Sequence, residues 1–142
     1  MKDHPHLKTI KRYYQGCSRA DGELMRSTFT ADVVHYFTHH EPVCGAEALA
    51  RYWLSMQPKI DACWTVDHGI VQDEEAVIEW SMSWTPPDSD AVEMIRGAEW
   101  YRFENQLIAE IRAYYLNPRA AYPQADFELL GFEYADRGYT LK

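Results

Sequence analysis

At 142 residues the chain has the length of one ordinary domain, and its formal charge of −8, from 22 acidic against 14 basic residues without a basic stripe, withholds the phosphate attraction that nucleic-acid binding requires. No apolar run reaches the length of a membrane span, and the polar stretch from Met1 to His6 lacks the layout of a signal peptide, so the expectation is a soluble cytoplasmic protein with neither nucleic-acid nor membrane partners. The three cysteines, Cys17, Cys44 and Cys63, are far apart and form no CxxC pair, which argues against a disulfide framework or a zinc knuckle and for reduced, mostly structural thiols.

Leu7, Ile10, Tyr14 and Cys17 recur at helical spacing, with Tyr13 beside that face, and predict an amphipathic helix over about residues 4 to 20. Asp21 then caps a second, shorter helix expected to end near Asp32. Val33 to Thr38 reads as a short strand. A polar loop from His39 to Gly45 leads into a third helix that turns Leu49, Tyr52, Trp53 and Met56 inward and should stop at Pro58. From there the period changes from 3.6 to 2, and Trp64 to Val71, Ala76 to Trp84, Ala91 to Phe103 and Leu107 to Tyr115 read as strands. Short polar turns at Gln72 to Glu75 and Glu104 to Gln106 make antiparallel pairing the natural reading of this meander. Helices on one face of a sheet give an α+β layer architecture that can enclose a pocket. Aromatic residues make up 14% of the chain, and a deep pocket or a subunit interface would absorb them.

The segment KRYYQGCSRADGELMRSTFTADVV at 11–34, the Gly45 loop before the third helix, and RGAEWYRFENQLIAEIRAYY at 96–115 resemble the NTF2-like superfamily. That superfamily includes ketosteroid isomerase, scytalone dehydratase, limonene epoxide hydrolase and the SnoaL-type polyketide cyclases. The resemblance covers about residues 7 to 116 and implies a cone: a curved antiparallel sheet wrapped around three N-terminal helices. It further implies that Tyr13 stands where ketosteroid isomerase has its oxyanion-binding tyrosine and Glu99 where it has its protonated carboxylic acid. Phe37 occupies the place of the catalytic base there. Ser18 occupies that of the dehydratases' helix aspartate, and Ala113 that of the epoxide hydrolases' strand aspartate. A dimer packed through the outer sheet face is implied as well.

Strand alternation puts Glu99 on the same face as Gly97 and Tyr101; an apolar setting there disfavours the charged carboxylate and makes Glu99 a candidate acid or hydrogen-bond donor. The alternative is a solvated or arginine-paired glutamate. Adjacent Tyr13 and Tyr14 cannot point the same way in a helix, and Tyr13 is the candidate pocket donor. His35 and His39 share a strand face with Phe37, and His68 alternates with Trp64, Val66 and Ile70 in a register that points it into the core; each is a candidate base. A bulge in that hairpin would reverse His68. The catalytic candidates are therefore Tyr13, His35, His39, His68 and Glu99, and the ligand-binding candidates are Phe37, Trp80, Met82, Trp84, Tyr101, Ala113 and Tyr115.

His35, His39, His40 and Glu41 lack the second close-spaced pair of a zinc site, so no metal is expected, and with no glycine-rich phosphate loop no cofactor is expected. The acidic run Asp73 to Glu75 reads as a solvated hairpin tip. Residues 117–142 of this single 1–142 domain carry Phe127, Leu129, Leu130, Phe132 and Tyr134, too apolar for a loose tail, and should dock on the pocket mouth or a partner subunit. Together these readings suggest an isomerase-, cyclase- or dehydratase-like enzyme acting on a small apolar cyclic carbonyl compound as a homodimer. The competing class is a non-catalytic ligand-binding pocket or dimeric interaction module.

Overall fold

The computed structural model describes residues 3–142. Helix α1 spans Pro5–Arg19, with Pro5 preset for the first turn and His4 Nδ1 accepting from the His6 amide; Ala20 ends it in the left-handed conformation. Asp21 caps α2, Gly22–Ser27, by accepting from the Leu24 amide at 3.0 Å. This helix is shorter than its sequence pattern suggests, because the β-prone run begins at once: β1 covers Phe29–Tyr36. A two-residue strand, β2 at Val43–Cys44, pairs back onto β1. Gly45, at a φ of 95° that side-chain-bearing residues avoid, then turns the chain into α3, Ala46–Ile60.

Pro58 does not end α3. A proline costs a helix its i−4 hydrogen bond, but in the final turn that loss is local. Termination falls instead to Asp61 in the left-handed region, and the Gln57 side chain ties the end down by donating to Ala62 O at 2.7 Å and Ser18 O at 3.0 Å.

Strands β3 (Cys63–Gln72), β4 (Glu75–Trp84), β5 (Glu93–Glu104) and β6 (Leu107–Tyr115) form the antiparallel meander. Asn105 and Gln106 both take positive φ, as a two-residue hairpin turn demands. The sheet order is β2-β1-β6-β5-β4-β3, and β1 runs parallel to β6, so the sheet is mixed and not wholly antiparallel. Between β1 and β6 the chain runs through β2, α3 and strands β3 to β5, a connection long enough to bring β6 alongside β1 in parallel. The core lies between this face and the helices, built on Ile10, Met25, Leu49, Ile78, Phe103 and Ile111. No helix among the described residues is long and apolar enough to cross a membrane.

One register detail overturns the expected orientation of His68. Val66 faces Trp80 but His68 faces Glu79, so Asp67 is an extra residue, a bulge that flips every later side chain of β3. His68 is exposed beside Glu79, and Ile70 follows it outward at 64% exposure.

Beyond β6 the chain first passes over the rim of the sheet, with Arg119 above Trp84, and then crosses the outer face of β1 and β6. Leu129 and Phe132 pack on Tyr36, the Leu130 amide donates to Phe37 O at 3.0 Å, and Arg137 lies 3.8 Å from the centre of the Phe132 ring. Arg137 and Arg112 both bind the buried Glu110 carboxylate.

Candidate active site

Between the concave sheet and α1 and α3 lies a cavity of about 90 Å³ walled largely by aromatic rings. Since about 10–15 Å³ of such space holds one water, there is room for a small organic molecule. Pairing of β4 and β5 arranges the sheet wall in layers: Ile78 opposite Glu99, Trp80 opposite Gly97, Met82 opposite Ile95, and Trp84 opposite Glu93. Gly97 is required where it stands. A Cβ on it would sit 2.7 Å from the Trp80 ring and 2.7 Å from Tyr115 Cβ, so glycine is what lets both aromatic side chains line the cavity beside Glu99.

Glu99 is 5% exposed and turned inward. Its Oε1 accepts hydrogen bonds from the Tyr14 and Tyr101 hydroxyls, the latter at 2.7 Å. Its Oε2 lies 3.5 Å from His35 Nε2. Burial, reinforced by the nearby Glu99 charge, pushes both phenols well above their ordinary range, so they stay protonated and keep donating. His35, 1% exposed, is stacked on Phe37 with ring centres 4.0 Å apart, and neither of its ring nitrogens has a hydrogen-bond partner within the chain.

Tyr13 occupies a different place from the one the resemblance implies. Its hydroxyl accepts from Trp53 Nε1 at 2.8 Å, while Tyr14, the other member of the pair, reaches the carboxylate. Helical geometry accounts for this: Tyr14 lies one turn beyond Ile10 on the face toward β5, and Tyr13 is rotated by about 100° toward α3.

His39 stands nearer the mouth with Nδ1 unpartnered; burial, followed by the neighbouring His40 and His35, pushes it down to about 4, which keeps it neutral at ordinary pH. His40 donates from Nδ1 to Glu41 O at 2.7 Å, so its Nε2 accepts from the Tyr52 hydroxyl at 3.0 Å.

The cavity thus gathers Tyr13, His35, His39 and Glu99 from the catalytic candidates and Phe37, Trp80, Met82, Trp84 and Tyr115 from the binding ones. His68 lies outside it. Tyr101 forms the floor beneath Glu99, and Ala113 pairs with Glu99 across β5 and β6; neither lines the space. Tyr14, Cys17, Tyr52, Trp53, Trp64 and Asn117 line it without having been singled out as site residues. For Tyr14, Tyr52 and Trp53 the inward helical spacing was a usable sign, whereas Asn117, beyond the last strand, carried none.

Comparison with known proteins places this geometry in a family. A search among curated proteins finds no match. A protein of unknown function with a cystatin-like fold from Methylobium petroleophilum PM1 is 35% identical over 97% of this chain and 92% of its own, with a TM-score of 0.83. A hypothetical protein with a ketosteroid isomerase-like fold from Catenulispora acidiphila, solved with trimethylamine, is 13% identical over 75% of this chain and 84% of its own, TM-score 0.70. An LEH-like epoxide hydrolase from M. tuberculosis is 10% identical over 79% and 83%, also at 0.70, a likeness of fold alone. Residues 10–111 match the SnoaL-like domain, and with the helix-lined cone and its buried carboxylate this chain belongs to the SnoaL-like family of the NTF2-like fold.

Proposed function

We propose that the protein is a cofactor-independent enzyme of isomerase, cyclase or dehydratase type, moving a proton on a small apolar cyclic carbonyl compound. The observation that carries this reading is the buried Glu99 carboxylate, held by two phenols and facing an otherwise unpartnered imidazole inside an aromatic cavity. Because Oε1 already accepts two hydrogen bonds, Glu99 is better suited to stabilising a proton on His35 than to donating one to an oxyanion, the role the resemblance implied for it. With Nε2–H toward Oε2, His35 presents the Nδ1 lone pair as a base, and the imidazolium formed on proton abstraction stays paired with Glu99. The 3.5 Å separation would tighten as ligand excludes water. Tyr13, whose oxygen accepts from Trp53, keeps its own proton to donate to the developing oxyanion.

A homodimer is part of the same proposal. Ile70, Met94, Trp100 and Tyr114 leave large apolar surfaces exposed on the outer sheet and its edge. The exposed free thiols of Cys44 and Cys63 suit the reducing cytoplasm.

The test is α-proton exchange of 2-indanone in deuterated buffer, followed by NMR. The protein should accelerate exchange, and His35→Gln should lose on the order of 100-fold or more of that acceleration. Binding of indanone without any acceleration over buffer would leave only a carrier.

A further inference from the structure

The proton-transfer scheme makes no use of the chain that follows β6. Residues 116–128 carry no helix or strand and none of them is buried, whereas Leu129 and Phe132 are fixed in the outer-face cluster. A stretch with so little packing lies at the low end of local stability. It nevertheless sits on the cavity mouth. Asn117 lines the cavity, the Arg119 guanidinium is 5.8 Å from the centre of the Trp84 ring, and the Tyr122 ring is 5.8 Å from that of His39. Trp84 belongs to β4 and His39 follows β1, so the segment reaches both sides of the opening. One side chain supplies most of the hold. Arg119 Nε donates to Asp88 at 2.8 Å, and the two terminal nitrogens donate to the two oxygens of Glu93 at 2.6 and 2.7 Å. Glu93 opens β5, and Asp88 lies in the connection from β4. Among the described residues the other hydrogen bond from 118–128 to the sheet is a long one, the Tyr122 hydroxyl donating to Tyr115 O at 3.4 Å.

We propose that residues 117–127 are a lid on the cavity and that Arg119 is its latch, so that a ligand enters and leaves when the guanidinium releases Glu93 and Asp88. The lid turns between the end of β6 at Tyr115 and the anchor at Leu129. It keeps its own shape as it moves, because the Ala120 amide donates to Asn117 O and the Arg119 amide to Asn117 Oδ1. The chemistry suits a latch better than a permanent brace. A forked guanidinium–carboxylate pair is directional and closes in one geometry. Yet the Arg119 and Glu93 side chains are 30% and 37% exposed, so water replaces each bond as it breaks and salt screens the pair. Buried apolar anchors, which hold the chain from Leu129 onward, are absent from the lid itself.

The experiment follows entry and exit of fluorobenzene, an uncharged probe that salt does not steer, by fluorine NMR exchange. A latch that must open for passage in either direction slows both rates alike. Arg119→Gln should therefore raise the entry and exit rates together, by about fivefold or more, and leave Kd within about twofold. Glu93→Gln breaks the latch from the other side and should do the same. Raising salt from about 0.05 M to about 0.5 M should speed exchange in the unmodified protein and leave the Arg119→Gln protein unchanged. A probe that enters the variant alone is the same result with a tighter latch. Unchanged rates in both variants, a change confined to the exit rate, a rate gain that salt does not reproduce in the unmodified protein, or a probe that enters none of the proteins would each overturn the proposal. None of these readouts needs turnover, so a protein that fails to exchange indanone protons would refute the enzymatic reading and leave the latch standing.

Discussion

Glu99 shows why a residue's type and its partners must be weighed together. Its inward position follows from strand alternation, and the resemblance put a phenol beside it, but which phenol depends on a rotation of about 100° between neighbours on α1. Removing the carboxylate should therefore harm folding through the phenols. Glu99→Ala leaves the Tyr14 and Tyr101 hydroxyls buried without an acceptor, at a cost of about 1–3 kcal/mol for each group. Glu99→Gln keeps an acceptor oxygen and should shift the urea midpoint much less.

His39 gives a second prediction. Its folded-state value of about 4 lies below the ordinary 6.5, so between those values the unfolded chain binds the proton more readily. Its contribution to stability is complete above pH 6.5 and is lost as pH falls toward 4. His39→Gln should flatten the dependence of melting temperature on pH across that window.

At the scale of elements, the helices and the four meander strands were legible because their periods are long and regular, while the misreadings have local causes. The bulge at Asp67 adds one residue to β3, and no pattern in Trp64 to Val71 separates a bulged strand from a straight one, so alternation alone points His68 inward and only the bulge turns it out. Pairing of β1 with β6 is a tertiary choice that neither sequence announces. Gly97 is a glycine inside a strand, a position that often marks close approach by another group, here the Trp80 and Tyr115 side chains. Gly97→Ala would place its Cβ 2.7 Å from both Trp80 and Tyr115 and 2.8 Å from the Tyr114 carbonyl oxygen. With backbone on one side, the rings must move. We expect a loss of about 1–3 kcal/mol in denaturant unfolding, together with weakened ligand binding.

For the whole molecule, the apolar content of residues 117–142 calls for docking, on the pocket mouth or on a partner subunit. Its start is at the pocket mouth, with Asn117 lining the cavity and Arg119 over Trp84, while Leu129 to Arg137 lie on the outer face of β1 and β6, where the Arg137–Glu110–Arg112 cluster joins them to the sheet. Burial alone would raise the Glu110 carboxyl, yet the two guanidiniums outweigh it and hold the group below its ordinary value. The stabilisation is therefore complete above pH 4.5 and is lost as pH falls through the depressed folded value. Hydrogen exchange should show residues 129–137 losing protection in acid before the meander does, and Arg137→Ala should release them at neutral pH. Light scattering at micromolar concentration should give the dimer mass, and replacing Trp100 and Ile70 by lysine on the outer sheet should give monomer.

The central claim is that Glu99 and His35 act as one proton-handling unit. A double-mutant cycle on indanone exchange tests this directly, with His35→Gln, Glu99→Gln and the pair compared with the unmodified protein. Acting as a unit, each single substitution should remove most of the acceleration, and the double should lose little more than the worse single. Losses that add in free energy, or a Glu99→Gln protein exchanging as fast as the unmodified one, would contradict the account.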